Sequence, residues 1–164
     1  MANELTIAGG NAATLVDIRR HPEQYPRLHS YPKDTALRMM GMAVLRAAKY
    51  FDVEIAMEDV NQTAHDLYTE LMEDVEGLNT YNITFEEIAR AIRKAAAGQS
   101  VEFFGKVSFH FLYKAIMAYV RTDVLEANRQ MLQQVERERG IRYTEKVALL
   151  TAAPARQLAN THKV

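Results

Sequence analysis

Residues 84–98, which read TFEEIARAIRKAAAG, specify a helix together with both of its ends. Thr84 and Glu87 have the spacing of a capping box, in which each side chain accepts a hydrogen bond from the other residue's backbone N–H. Gly98 is a suitable stop signal. One apolar stripe at helical spacing predicts that the helix packs by one face against a core. The stripe consists of Phe85, Ile88, Ile92 and Ala96.

Helical periodicity extends over most of the 164 residues, of which 48% are apolar and only seven are glycine and four proline. We predict an all-α fold, a single domain of about five helices with a long projecting C-terminal helix. Its parts would be an irregular N-terminal segment with one short helix (1–33), a helical domain (34–139), and a short helix with a flexible tail (140–164). Among the predicted helices, a short first helix is capped by Asn11, the second (35–51) is capped by Asp34, and the third (57–75) is followed by the stop signal Gly77. The fourth is the helix that ends at Gly98. The fifth (109–138) runs from the cap Ser108 to the stop Gly140, and a short helix follows near 144–151.

The helix predicted at 109–138 has one apolar stripe, and its other faces are almost wholly polar from Thr122 onward. At 1.5 Å per residue it would be about 45 Å long, which exceeds the width of a compact domain of this size. We therefore expect the distal half to leave the domain and to form a homo-oligomer. The predicted interface residues are Val124, Leu125, Met131, Leu132 and Val135.

The helix predicted at 35–51 is apolar on nearly every side, which places it at the centre of the domain. It contains three methionines, Met39, Met40 and Met42. Methionine fills gaps in cores, so we expect all three to be buried. The alternative is a groove that binds apolar partners, since methionine is also frequent at such surfaces.

The composition excludes several classes of protein. There is no cysteine, so disulfides, thiolate catalysis and cysteine-based zinc sites are absent. No apolar run approaches the roughly 20 residues of a membrane-spanning helix, and the N-terminus has no basic region followed by an apolar stretch. We expect a cytoplasmic protein without a membrane partner.

Charge is segregated along the chain although the net charge is only −1. Residues 51–88 hold eleven Asp/Glu and no Lys or Arg, whereas residues 90–121 hold six Lys/Arg and one acid. Cations that alternate with aromatics such as Phe103, Phe104 and Tyr113 are typical of surfaces that bind single strands, where cations neutralise phosphates and rings stack on bases. The alternative is that the two charged faces pair with each other. The candidate nucleic-acid-binding residues are Arg90, Arg93, Lys94, Lys106, Lys114 and Arg121.

No catalytic site is evident. The acidic helix includes Glu70 and Glu73, but the second acidic pair of an all-α metal-dependent hydrolase is missing from the next helix, and there is no Glu-x-x-His motif. Glycine-rich phosphate-binding loops are also absent. We predict a protein that is not an enzyme and has no cofactor and no metal, with a metal-dependent hydrolase as the least favoured alternative.

Residues 78–120 resemble a segment of small proteins from phages and mobile elements of gut Bacteroidetes, which are similar to replisome organisers and helicase-loader accessory proteins. The segment begins with a Leu-Thr-x-x-Glu-Ile-like helix start and ends in an aromatic-rich helix. The matching positions are Ile83, Thr84, Glu87, Ile88, Gly98, Phe104, Gly105, Phe109, Phe111, Ala118 and Tyr119.

The resemblance implies binding to DNA or to a replicative helicase. We therefore expect an accessory protein of phage or mobile-element DNA replication that binds DNA, single-stranded in preference to duplex, or the helicase through its basic face. The alternative is a structural protein–protein adaptor that uses the acidic helix, residues 58–76.

Overall fold

The computed structural model describes the backbone of residues 13–160 and the side-chain environments of residues 13–146. The described chain is all-α, as predicted, and its last helix is long. In chain order the helices are α1 (Leu15–Arg20), α2 (Lys33–Tyr50), α3 (Met57–Glu73), α4 (Phe85–Ala96), α5 (Phe109–Tyr119) and α6 (Leu125–Asn160), with single 3₁₀ turns at Leu28–Ser30 and Thr80–Asn82.

The core is formed where α2 packs against α3 and α4, and where α5 packs against α3 and α4. Each helix contributes one stripe of aliphatic side chains, as the predicted periodicity requires. Among the most completely buried residues are Met40, Val44, Leu67, Leu71, Ile88, Ile92, Leu112 and Ile116.

Two of the predicted helix starts are confirmed. Thr84 and Glu87 form the capping box of α4, and Ser108 caps α5 by accepting a hydrogen bond from the backbone N–H of Phe111. Both signals are local, because cap and partner lie three residues apart. A local signal of this kind is independent of the rest of the fold.

Other predicted ends were wrong by a few residues. The cap of α1 is Thr14, which forms a capping box with Asp17, whereas the predicted cap Asn11 lies outside the described residues. Pro32, not Asp34, precedes α2, so Asp34 lies inside the first turn. Pro32 has an extended backbone, with ψ of 140°, so it lies just outside the helix, and α2 begins at Lys33.

Helix α3 ends at Glu73, two residues before the predicted end at 75, and its C-cap is Asp74 and not the predicted stop Gly77. Asp74 has a left-handed backbone (φ 50°), and its carboxylate accepts hydrogen bonds from the backbone N–H groups of Asn79 and Thr80, both at 3.0 Å. Partial burial opposes ionisation of Asp74, but the hydrogen bonds from Thr80 and Asn79 outweigh it and lower the pKa of the carboxyl. The turn is therefore built around an ionised aspartate.

The helical path of the C-terminal part is longer than predicted. A π-helical turn, Val120–Val124, follows α5, and α6 then continues to Asn160. The predicted stop at Gly140 and the separate helix near 144–151 were wrong, since both fall inside α6. Glycine ends a helix only where it adopts a left-handed conformation, and Gly140 is not among the glycines with positive φ.

Two compact units make up the chain, Met1–Ala127 and Asn128–Val164. The predicted domain limit at 139 therefore lies within the second unit. In the first unit, the described residues 13–127 contain the core. In the second, all side chains of residues 128–146 are exposed or partly exposed. Among the described helices, none is both long and apolar enough to cross a membrane.

Candidate binding surfaces

Most cations of the predicted basic face are held in ion pairs. Arg90 and Arg93 both contact Glu86, with nitrogen–oxygen distances of 3.0 and 3.2 Å. Arg90 also donates a hydrogen bond to the backbone carbonyl of Ala13 at 2.6 Å. The two arginines share one carboxylate, so about half of their positive charge at the surface of α4 is balanced.

The same holds for two further cations. Lys94 donates to both carboxylate oxygens of Asp123, at 2.9 and 2.7 Å, and Arg121 is paired with Glu76. Burial opposes ionisation of Asp123, but the hydrogen bonds from Lys94 and Thr122 outweigh it and lower the pKa of the carboxyl. Four of the six candidate cations are thus paired with acids: Arg90 and Arg93 with Glu86 of the same helix, and Lys94 and Arg121 with Asp123 and Glu76 from other parts of the chain.

The remaining two candidates, Lys106 and Lys114, are exposed and belong to no ion pair among the described residues. Lys114 lines a shallow pocket of about 490 Å³ together with Arg121, His110 and Tyr113. Glu76 lines it too, so the pocket is of mixed charge. The structure therefore brings together Lys114 and Arg121 but does not assemble all six cations into one patch.

Of the three aromatics assigned to this face, only Phe104 is available. Phe103 stacks on Phe51 with ring centroids 4.2 Å apart, and Tyr113 stacks on Phe109 at 5.6 Å. Phe104, in contrast, is 82% exposed. It stands next to Gly105, whose φ of 79° makes the sharp turn before Lys106.

A second surface is an open groove between α2 and α3, with a volume of about 780 Å³. Met42 and Met57 are about 60% exposed in it, at 60% and 59%, and Leu45 is 40% exposed. The prediction that all three methionines of α2 are buried was thus right for Met40 and wrong for Met42. The groove is lined by Thr35, Leu37, Arg38, Met39, Gly41, Met42, Leu45, Met57, Val60, Asn61, Ala64 and His65.

Most of these lining side chains are apolar, and the few polar ones are not acids. Acids are found on the remaining surface of α3, where Glu58, Asp59 and Glu73 are exposed and form no ion pair among the described residues. Contiguous exposed apolar surface is uncommon on monomeric proteins and marks sites of interaction. A groove between two helices with flexible methionines in it suits the apolar face of another helix.

The predicted oligomer residues differ in accessibility. Val124 is only 4% exposed because it packs in the core, so it is not available to a partner. Leu125 and Leu132 are 41% and 58% exposed, while Met131 and Val135 are partly exposed. Four of the five predicted residues therefore remain accessible on α6.

One buried polar cluster was missed by sequence reasoning. Glu87 is fully buried, and besides capping α4 it accepts a hydrogen bond from the Nε of Arg19 at 2.5 Å. Arg27 donates to the backbone carbonyl of Arg19, while its Nη1 is buried without a partner among the described residues. Burial, together with the charge of Arg19, lowers the pKa of Arg27. The cluster joins α1 and the segment after it to α4.

The acidic helix does not gather ligands for a cation. Across the described part of the chain, no three His, Asp or Glu side chains lie in an arrangement that could hold a metal ion. Asp66 is engaged by Gln62, whose amide donates to it at 2.8 Å, and Asp74 is used in its turn.

Comparison with known proteins adds no relative: no family model, no curated protein and no solved structure matches the chain.

Proposed function

We propose that the protein is a non-enzymatic adaptor that acts in the cytoplasm by holding the apolar face of another helix in the α2–α3 groove. The observation that carries this proposal is the exposure of Met42 and Met57 in a groove lined mostly by apolar side chains. Burying such side chains in a partner is favourable by about 1.5–3 kcal/mol for each one fully buried. An adaptor was the alternative that the acidic helix suggested, and α3 forms one wall of the groove.

The charge of the first unit defines the partner further. Residues 13–127 contain thirteen Lys/Arg and seventeen Asp/Glu, so this part of the chain is negatively charged. Attraction between opposite charges accelerates association and favours one class of partner over another. The proposed partner is an amphipathic helix whose polar face is basic.

The methionines allow a direct test, since Met42 and Met57 line the groove while Met40 and Met117 are buried. The protein is labelled with ¹³C at the methionine methyl groups and titrated with a designed Leu/Lys peptide that has one apolar and one basic face. We expect the NMR signals of Met42 and Met57 to shift and those of Met40 and Met117 to stay. A peptide of identical composition in scrambled order, without an apolar face, is the control.

Two variants locate the effect. Met42→Glu places a charge in the groove and should weaken peptide binding at least tenfold. Val75→Glu makes the same chemical change at a residue that is 68% exposed outside the groove, and it should leave binding unchanged. Equal responses to the ordered and the scrambled peptide, or equal loss in both variants, would refute the adaptor proposal.

A second candidate function, binding of single-stranded DNA, is favoured by Phe104 and Lys106. Exposed aromatic rings next to unpaired cations are the parts from which single-strand sites are built. The resemblance of residues 78–120 to replisome-organiser proteins adds to this candidate, with a phage or mobile-element replisome as the setting and its helicase as a protein partner. It ranks second because most of the candidate cations are paired with acids.

This candidate is tested by fluorescence anisotropy with a labelled single strand at low and moderate salt. Phe104→Ala should weaken binding about tenfold, since stacking on one base is worth about 1–3 kcal/mol. Arg93→Ala is the matched control because Arg93 is paired with Glu86, and it should have little effect. Absence of binding, or binding that salt does not weaken, would leave only the adaptor.

A further inference from the structure

The described residues of this one chain include two exposed apolar surfaces. The first is the α2–α3 groove with Met42 and Met57, and the second is the described part of α6. Exposed apolar surface is stabilised by any contact that removes it from water. In a solution of identical chains, each surface is always present at the same concentration as the other. The exposed large apolar residues of α6 are Leu125, Leu132, Ile141 and Tyr143.

The arrangement along α6 fits a groove. Within the second unit, Leu132 and Val135 lie three residues apart and share one side of the helix. Tyr143 is eleven residues beyond Leu132, about three helical turns, and belongs to the same side. These positions span about 17 Å of helix and give this part of α6 a narrow apolar stripe of the kind that docks in grooves between helices.

The charges of the two units favour one of two ways in which α6 could associate with another copy. Residues 128–164 contain seven Lys/Arg and three Asp/Glu, whereas residues 13–127 carry an excess of acids. Pairing α6 with a second α6 would bring two positive segments together. Placing α6 on the first unit of another copy instead brings together opposite charges, which favours that association.

We propose that the helix held in the α2–α3 groove is α6 of a second copy, with Leu132 seated near Met42. The inference rests on the proposed adaptor function, because it names the occupant of the same groove. The sequence predicted only that the long helix mediates self-association, and the inference adds the surface that it contacts. The groove and α6 are different surfaces, so each chain offers one of each.

The absence of cysteine from the sequence permits an unambiguous test. Two full-length variants, Met42→Cys and Leu132→Cys, are purified separately, mixed, and treated with a short bismaleimide. We expect a cross-linked dimer that contains one chain of each kind, identified by mass after one chain is labelled with ¹⁵N. A link between different chains cannot arise within a single molecule.

The controls use the same chemistry. Val75→Cys mixed with Leu132→Cys should give at most a tenth of the product, because Val75 is equally exposed but lies outside the groove. Leu132→Cys alone should give little product. If Leu132→Cys alone cross-links as well as the mixture does, α6 pairs with α6 and the inference is wrong.

A second measurement does not depend on cysteine geometry. Light scattering should show more than one chain per particle for the unmodified protein, and Met42→Glu and Leu132→Glu should each shift it to single chains, while Val75→Glu should not. Single chains for the unmodified protein would overturn the inference. If the groove methionines still respond to the designed peptide in that case, the adaptor function survives; if they do not, both proposals fail.

Discussion

The surroundings of Glu87 and of Met42 reverse the usual distribution of polar and apolar side chains. Glu87, a carboxylate, is fully buried, whereas Met42, an apolar side chain, is 60% exposed. The buried carboxylate is matched by Arg19 and accepts the capping hydrogen bond from the backbone N–H of Thr84. The side chain of Met42, in contrast, is not covered by other described residues of the first unit to a comparable extent.

This difference distinguishes side chains that contribute to folding stability from side chains that are available for association. A buried ion that is fully paired joins distant segments and is strongly destabilising when its partner is removed. An exposed apolar side chain contributes little to folding, and its burial is still available to an association. We therefore expect substitutions around Glu87 to change stability and substitutions in the groove to change binding.

The largest effect is expected for Glu87→Ala. It leaves the buried Arg19 without its carboxylate and removes half of the capping box, which should lower the free energy of unfolding by about 3–5 kcal/mol. Glu86→Ala is the control, since Glu86 also pairs with arginines but on a partly exposed surface, and it should cost about 1 kcal/mol or less. Urea unfolding at constant pH measures both. A similar loss of unfolding free energy in the two variants would contradict the special importance of the buried Glu87 for stability.

The methionines of α2 give the second comparison. Met40→Ala should cost about 2–5 kcal/mol because it leaves a cavity in the core. Met42→Ala should change the free energy of unfolding by about 0.5 kcal/mol or less, since the side chain is mostly exposed. Thermal or urea unfolding of the two variants measures the difference. A loss of several kcal/mol for Met42→Ala would show that the groove belongs to the folding core.

The pH dependence of stability in alkaline solution provides a third test, at Tyr119 of α5. Burial raises the pKa of Tyr119 to about 12 in the folded chain. The unfolded chain releases this proton near pH 10 while the folded chain retains it, so stability should fall as the pH rises from 10 towards 12, by up to about 2 kcal/mol. Tyr119→Phe should remove this part of the pH dependence in urea unfolding. An unchanged slope in the variant would contradict the prediction.

The smallest effect is expected for Gly41→Ala, at the edge of the groove. An added Cβ would meet Val60 Cγ1 at 3.8 Å, an ordinary contact, and alanine favours the helix. The free energy of unfolding should rise by up to about 1 kcal/mol, measured by urea unfolding. A decrease would indicate that α2 and α3 approach more closely than the structure shows.

How much the sequence could predict depends on the distance over which each signal acts. The caps Thr84 and Ser108 were predicted because cap and partner are three residues apart. The pairing of Glu87 with Arg19 was not, since 68 residues separate them and no local pattern marks it. The same reason explains why Arg121, which is paired with Glu76 across 45 residues, was assigned to a free basic face.

The sequence offered the groove only as an alternative to burial of all three methionines of α2. Helix α2 is apolar on nearly every side, so periodicity could not determine which of Met40 and Met42 faces the core. Gly140 was misassigned for a related reason, because glycine permits a left-handed stop but does not require one. In both cases, packing partners far away in the chain decide between two locally acceptable outcomes.

The aspartate that ends α3 has a consequence for acid solutions. Asp74 accepts hydrogen bonds from Asn79 and Thr80 more strongly as a carboxylate than as a protonated acid, and its pKa therefore lies below the ordinary value. Its contribution is therefore complete at neutral pH and disappears only as the pH falls below about 4. Strong acid would then loosen the link between α3 and α4 by protonating a single side chain, and the protection of the Asn79 and Thr80 amides against hydrogen exchange, relative to their intrinsic rates, would fall.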